Sequence, residues 1–473
     1  MAGHPTHERP VGRVGYTGNL IMRNRFSVLM LALPLAYAQD APQQPRATPA
    51  APVQPGVAFV RENYSKYEYR IPMRDGVKLF TSIYVPKDIV SDGKSYPIML
   101  SRTPYSVKPY GVDQFRGDLG PSDLFARDRF IFVYQDVRGR YMSEGDFTII
   151  RPYKPVKHGP QDTDESTDAY DTIDWLVKNV PGNTGKVGIW GISQPGFFAS
   201  AATIDAHPAL VAASPQAPVT DYYLGDDSYH NGAFMLAHRF SFYQGFKPRG
   251  EEPAPPPAQM VPFDFGTPDG YEFYLNMGSL ANADEKYFKH QQPYWLVNIN
   301  NTTYNQEWQA RSIWKYLKGV KPALMLVGGW FDAEDLQGPL RQHAFIEKNS
   351  PPAVDLLVMG PWTHGGFSRG DGERVGNVTF GSKTGAYYRE KIEFPFFSYY
   401  LKAKGDGRFP HAWVFETGMN QWRRFDAWPP KAAASRRELV YYRLHAVIPA
   451  QAGLQGSVLN GSLDPPLRGG DAG

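Results

Sequence analysis

Cysteine is absent from all 473 residues, which excludes disulfides, thiolate metal centres and a cysteine nucleophile. That absence fits a reducing or an oxidising compartment equally. An excess of either charge is also missing. Fifty Lys and Arg stand against 47 Asp and Glu, a net charge of +3, and no basic run interleaves with aromatics as a nucleic-acid groove requires. Nucleic acid is not an expected partner. Long apolar runs are scarce as well. The stretch 26–35 follows Arg23 and Arg25, ends on the AxA pattern Ala36-Tyr37-Ala38, and is short for a bilayer span. Residues 1–38 therefore read as a signal peptide. The first 21 residues are either an extended n-region or an over-called start before Met22. A Gln-, Pro- and Ala-rich linker follows over 39–60. A periplasmic or secreted protein with no membrane span after cleavage is the expectation.

What is present is a core-forming chain, 42% hydrophobic and long enough for one large α/β domain with accessories. "YEYRIPMRDGVKLFTSIYVP" places an Asp-Gly turn between two β-rich stretches and predicts a hairpin. "YPIMLSRTPY", "FIFVYQDVRG", "KVGIWGIS", "ALMLVGGWFD" and "VDLLVMGPWTH" are continuous apolar runs ending in polar residues or glycine, the pattern of parallel strands buried on both faces. "TDESTDAYDTIDWLVKNVPGNTG" has helical spacing between two of them. Strands alternating with helices predict a doubly wound α/β sheet over 61–403. A Pro-rich and aromatic interval at about 221–317 interrupts the rhythm and reads as an inserted helical cap. Beyond it, "HAWVFETGMNQWRRFDAWPP" reads as the opening of an all-β module within 404–473, too short to close, before a Gly-, Pro- and Ala-rich tail.

Three residues follow predicted strands: Ser193 after "KVGIWGI", Asp332 after "ALMLVGGWF" and His364 after "VDLLVMGPWT". Sites of open parallel sheets lie at the carboxyl ends of strands, and the order Ser, Asp, His is the one α/β-hydrolases use. The chemistry needs all three. A serine hydroxyl is a weak nucleophile at neutral pH, so His364 must take its proton and Asp332 must orient the imidazole. A serine between glycines is, alone, more often a helix cap. Here the motif is GxSxxG, from Gly191 to Gly196, and Gln194 keeps the N–H expected to donate to the oxyanion while Pro195 falls in the helix's first turn.

The stretches "SRTPYS", "QDVRGRYMSEGDF", "GISQPGF", "VTDYYLGDDSYHNGAF", "GGWFDAEDLQG" and "GPWTHGG" together resemble the exported α/β-hydrolases that include cocaine esterase, X-Pro dipeptidyl peptidases and α-amino-acid ester hydrolases. The resemblance implies an α/β-hydrolase fold with a cap and a C-terminal jelly-roll, here incomplete. It implies a homo-oligomer and an oxyanion hole made of Tyr105 and the N–H of Gln194; the alternative for Tyr105 is packing behind the first strands. The acids look most like the α-amino-acid ester hydrolase pattern, which maps a carboxylate cluster onto Asp227, Glu334 and Asp335.

Such anions would hold the free α-ammonium of an aminoacyl ester or amide, including aminated β-lactam side chains, by charge-assisted hydrogen bonds. A calcium site and a solvated acidic loop compete with that reading. Asp226 reads as a turn or cap residue and His230 as a neighbour of the site or a core histidine. Trp330 and Trp362 read as packing around the triad. The remaining histidines have no motif context, and no metal or cofactor is expected. Within the family a broader carboxylesterase, a glutaryl-type acylase or an X-Pro peptidase is the alternative, and outside it an inactive truncated remnant. Gln194 departs from the tyrosine usual in the subgroup, which removes an aromatic contact beside the acyl group.

Overall fold

The structure, a computed structural model, describes residues 56–431 apart from Met260 and Pro352. The signal segment and the tail beyond Lys431 lie outside the described residues. The end of the expected linker is a helix, Val57–Asn63, which sinks Val60 fully into the core.

Ten strands form one sheet: β1 (Tyr64–Pro72), β2 (Lys78–Pro86), β3 (Tyr96–Thr103), β4 (Ile131–Asp136), β5 (Asn183–Ile192), β6 (Leu210–Gln216), β7 (Ala323–Gly329), β8 (Asp355–Gly360), β9 (Ala412–Glu416) and β10 (Gln421–Phe425). Their order is β1-β2-β4-β3-β5-β6-β7-β8-β9-β10. The β1–β2, β2–β4 and β9–β10 pairs are antiparallel, and every pair from β4 to β9 is parallel. This is the α/β-hydrolase architecture expected from the alternating pattern. The Asp-Gly hairpin joins β1 to β2, with Gly76 at φ 89°.

The apolar runs are continuous because both faces of the sheet are covered. Ile98, Leu100, Val187, Ile189, Leu324, Leu326 and Leu357 pack on one face. Met99, Trp190, Met325, Val327, Leu356 and Val358 pack on the other. Helix α1 (Glu165–Asn179) starts at a capping box in which Asp164 accepts the N–H of Thr167 and Thr167 Oγ1 accepts the N–H of Asp164. With α2 (Gln194–Ala201) it covers the first face, and α5 (Phe394–Lys402) brings Phe396, Phe397 and Leu401 to the second.

Two segments differ from expectation. Strand β6, "LVAASPQ", carries small residues and gives no apolar run, yet it is buried along its length at the centre of the sheet. His411 to Pro430, expected to open a separate β module, contributes β9 and β10 to the main sheet. Trp413 and Val414 of β9 pair with Val358 and Met359 of β8, while β10 is mostly exposed at the edge. Between β6 and β7 lie short helices, among them α3 (Leu236–Gly245), and a small hairpin. Among the described residues, no helix is long and apolar enough to cross a membrane.

Candidate active site

Ser193 sits at the junction of β5 and α2 with φ 69° and ψ −127°. Such a conformation in a non-glycine residue costs about 1–3 kcal/mol and persists only where the surroundings impose it. They do so here. The Ser193 N–H donates to the carbonyl of Gln216 at the end of β6 (2.9 Å). A Cβ at Gly191 would lie 2.2 Å from the Pro195 carbonyl oxygen, and one at Gly196 would lie 2.7 Å from that of Gln216. The glycines of GxSxxG are therefore close-approach positions that let strand, turn and helix converge. The N–H of Gln194 lies in the first turn of α2, where no helical acceptor exists. Its side chain is buried, and neither amide atom has a partner among the described residues.

Asp332 and His364 follow β7 and β8 and meet. His364 Nδ1 lies 2.9 Å from Asp332 Oδ2, and Asp332 Oδ1 accepts the N–H groups of Glu334 (2.8 Å) and Asp335 (2.9 Å). One oxygen is thus anchored by backbone while the other holds the imidazole. Burial works against a charged His364, but Asp332 first, then Glu334 and Asp227, outweigh it and raise its pKa above the ordinary 6.5. Among the described residues, no hydrogen bond joins Ser193 Oγ to His364. Nε2 instead lies 3.4 Å from Glu334 Oε2.

The three predicted acids gather around this imidazole. Asp335 Oδ2 is 3.9 Å from His364 Nδ1, and the Asp227 N–H donates to the Glu334 carbonyl (3.1 Å). Asp335 is fully buried, and neither of its oxygens has a hydrogen-bond partner among the described residues. Burial, with Asp227, Asp226, Asp332 and Glu334 adding to it, pushes its carboxyl well above the usual carboxylate range. Asp227 is held below that range. Burial opposes its ionisation, but Arg239 and His238 overcome the penalty.

These two residues were not legible in the sequence. Arg239 Nη2 lies 2.6 Å from Asp227 Oδ1, His238 Nε2 lies 3.4 Å from the same oxygen, and Arg239 is 1% exposed. Both stand on α3, whose Phe240 and Tyr243 mark it as core; the only signal was a His-Arg pair soon after "GDD". The same geometry weighs against the calcium alternative. Asp227 already has a fixed cation, and two imidazoles stand where Ca²⁺ takes oxygens.

Tyr105 follows β3 and packs edge-on against Phe246 (5.7 Å) and Phe242 (6.4 Å). It is not packed behind the first strands. Tyr105 is 39% exposed; partial loss of solvent, then Asp227, Asp335 and Glu334, raises the pKa of its phenol while Arg239 opposes this. Asp226 is a turn residue, its Oδ2 accepting the N–H groups of Thr220 (3.0 Å) and Asp221 (3.1 Å). His230 reaches the Glu334 carbonyl through Nε2 (3.2 Å). Trp330 donates to the Phe415 carbonyl (3.0 Å) and Trp362 to Thr384 Oγ1 (2.9 Å), so both indoles serve packing.

The sequence profile of the X-Pro dipeptidyl-peptidase (S15) family matches residues 75–366, from the first hairpin through His364. The chain belongs to this family. Its fold agrees with two solved structures: an aminopeptidase from a marine sediment Thaumarchaeota archaeon (31% identity, TM-score 0.70, 84% of this chain and 62% of that one) and an α-amino acid ester hydrolase (34% identity, TM-score 0.69, 82% and 62%). Cocaine esterase of Rhodococcus sp. (strain MB1 Bresler) is 25% identical over 390 residues, 78% of this chain and 61% of that protein. The chain therefore spans about three-fifths of the length of these relatives.

Proposed function

We propose that the protein is an exported serine hydrolase that cleaves, or transfers, acyl groups bearing a free α-amine. The observation that carries the acyl specificity is Asp335, a fully buried carboxyl with no hydrogen-bond partner among the described residues, beside Glu334 and next to the catalytic imidazole. Ser193 Oγ attacks the acyl carbonyl as His364 takes its proton, and the N–H of Gln194 with the Tyr105 phenol stabilises the oxyanion. Collapse returns the proton to the leaving group and yields an aminoacyl-Ser193 ester. Water or an amine then attacks that ester with His364 again as base.

The acids do two things in this scheme. A substrate ammonium offers the buried Asp335 a counter-charge, which favours its ionised form. The ammonium also takes Glu334, which releases His364 Nε2 toward Ser193. Asp227, already paired with Arg239, contributes less.

Comparing phenylglycine methyl ester with its N-acetyl derivative tests this reading. Each charge-assisted hydrogen bond contributes about 1.5–3 kcal/mol, so kcat/KM for the free amine is expected to exceed that of the blocked ester by about 100-fold or more. Asp335→Asn is expected to shrink the ratio by about tenfold. A ratio near one in the wild type would favour a broad esterase of the same family.

The pH profile gives a separate check. His364 acts as a base only when neutral, and its pKa is raised. Activity is therefore lost as pH falls through that raised value, so the acid limb of kcat/KM is expected above 6.5. Glu334→Gln, which removes one of the anions responsible, is expected to move the limb downward. A limb at or below 6.5 that Glu334→Gln leaves in place would contradict the assignment.

A further inference from the structure

A second group of ligand-type side chains lies at the opposite ends of the strands. His343 and Glu347 are four residues apart on helix α4 (Gln337–Asn349) and so share a face. Asp355 is the first residue of β8, and His411 directly precedes β9. His343, Glu347 and Asp355 each place one ligand atom within 4.8 Å of the others. His343 Nδ1 is 2.9 Å from Asp355 Oδ2, and His411 Nδ1 is 3.3 Å from Glu347 Oε1. The backbone fixes this arrangement, because the Leu357 N–H donates to the His411 carbonyl (2.9 Å).

The buried half of the cluster is incompletely satisfied. His343 and Asp355 are 1% and 4% exposed, and His343 Nε2 and Asp355 Oδ1 have no hydrogen-bond partner among the described residues. Buried polar atoms are paired as a rule, and two orphans in one ion pair require an account. The other half, Glu347 and His411, is open to solvent and gives a path of entry.

We propose that His343, Glu347, Asp355 and His411 bind a divalent transition-metal ion of the Zn²⁺ type. Two imidazoles and two carboxylates suit such an ion, whereas Ca²⁺ and Mg²⁺ take oxygen. The ion ties α4, which follows the Asp332 loop, to the start of β8, which leads to His364. At about 3.3 Å per residue along β8 it lies roughly 17 Å from the catalytic end, so its role is to fix the scaffold. Its ligands come from three elements, which is why no sequence motif announces it.

The test uses the full chain stripped with a chelator, titrated calorimetrically with Zn²⁺ and, by absorption, with Co²⁺. The expected result is a site with tetrahedral Co²⁺ bands that persists in Glu334→Gln, a variant that removes the carboxylate shared by the two ligand-type groups of the active site. Glu347→Ala and His411→Ala, both at solvent-exposed positions, are expected to weaken binding at least tenfold while the metal-free melting temperature stays unchanged. No binding by the wild type, binding unaffected by both of these substitutions, or binding lost only in Glu334→Gln would each overturn the proposal.

Discussion

Ser193→Ala is expected to lower kcat/KM for ester substrates by about 10⁴-fold or more, leaving only the acceleration that the oxyanion donors and binding supply. The size of the effect follows from the geometry. The φ of 69° at Ser193 and the close contacts at Gly191 and Gly196 hold the tight strand-to-helix turn that carries this hydroxyl at the end of β5. The alanine variant keeps the backbone that these contacts hold, so its melting temperature is expected to stay close to that of the wild type. A variant that melts normally yet retains more than a few per cent of the activity would show that another group attacks the ester.

Asp332→Asn is expected to cost a similar factor, about 10⁴ in kcat, because an amide at this position turns the imidazole into the wrong tautomer. Two neighbouring carboxyls approach the same ring, so the substitution also separates their roles. Asp332 Oδ2 stands 2.9 Å from Nδ1 and its other oxygen takes two backbone N–H groups, while Asp335 stands 3.9 Å away with no hydrogen-bond donor among the described residues. Asp335→Asn is therefore expected to act on KM for amino esters and to leave turnover of N-blocked esters near its wild-type value. If the two asparagine variants exchanged these effects, the triad would run through Asp335.

The parts of this site legible in the sequence share one property: each sits at the end of a buried strand. "KVGIWGIS", "ALMLVGGWFD" and "VDLLVMGPWTH" announce both the strand and the residue it delivers, since a run buried on both faces must end where the chain turns polar. Strand β6 escaped because "AASP" has the burial of a central strand without the large side chains that advertise it. The sequence pattern marks β9 and β10 as strands of a separate module, whereas the structure pairs them with the main sheet. Their pattern records that one of them is exposed, not which neighbour buries the other.

Arg239 and His238 are silent in the sequence for a different reason. They lie on a helix whose aromatic residues dominate its pattern, and their importance arises only where α3 folds back over the loop carrying Asp227. That loop-to-helix contact also changes how the acids are understood. The sequence presented three equivalent carboxylates. In the structure, Asp227 is neutralised by Arg239, Glu334 engages the histidine, and Asp335 is buried with neither oxygen hydrogen-bonded among the described residues.

The central claim is that Ser193 is the acylated nucleophile, and labelling the full chain with a fluorophosphonate probe followed by peptide mapping tests it most directly. The expected result is a single adduct on Ser193, slowed by excess phenylglycine methyl ester and absent from the His364→Ala variant. A folded protein that takes up no probe, or one labelled at a residue other than Ser193, would contradict the account.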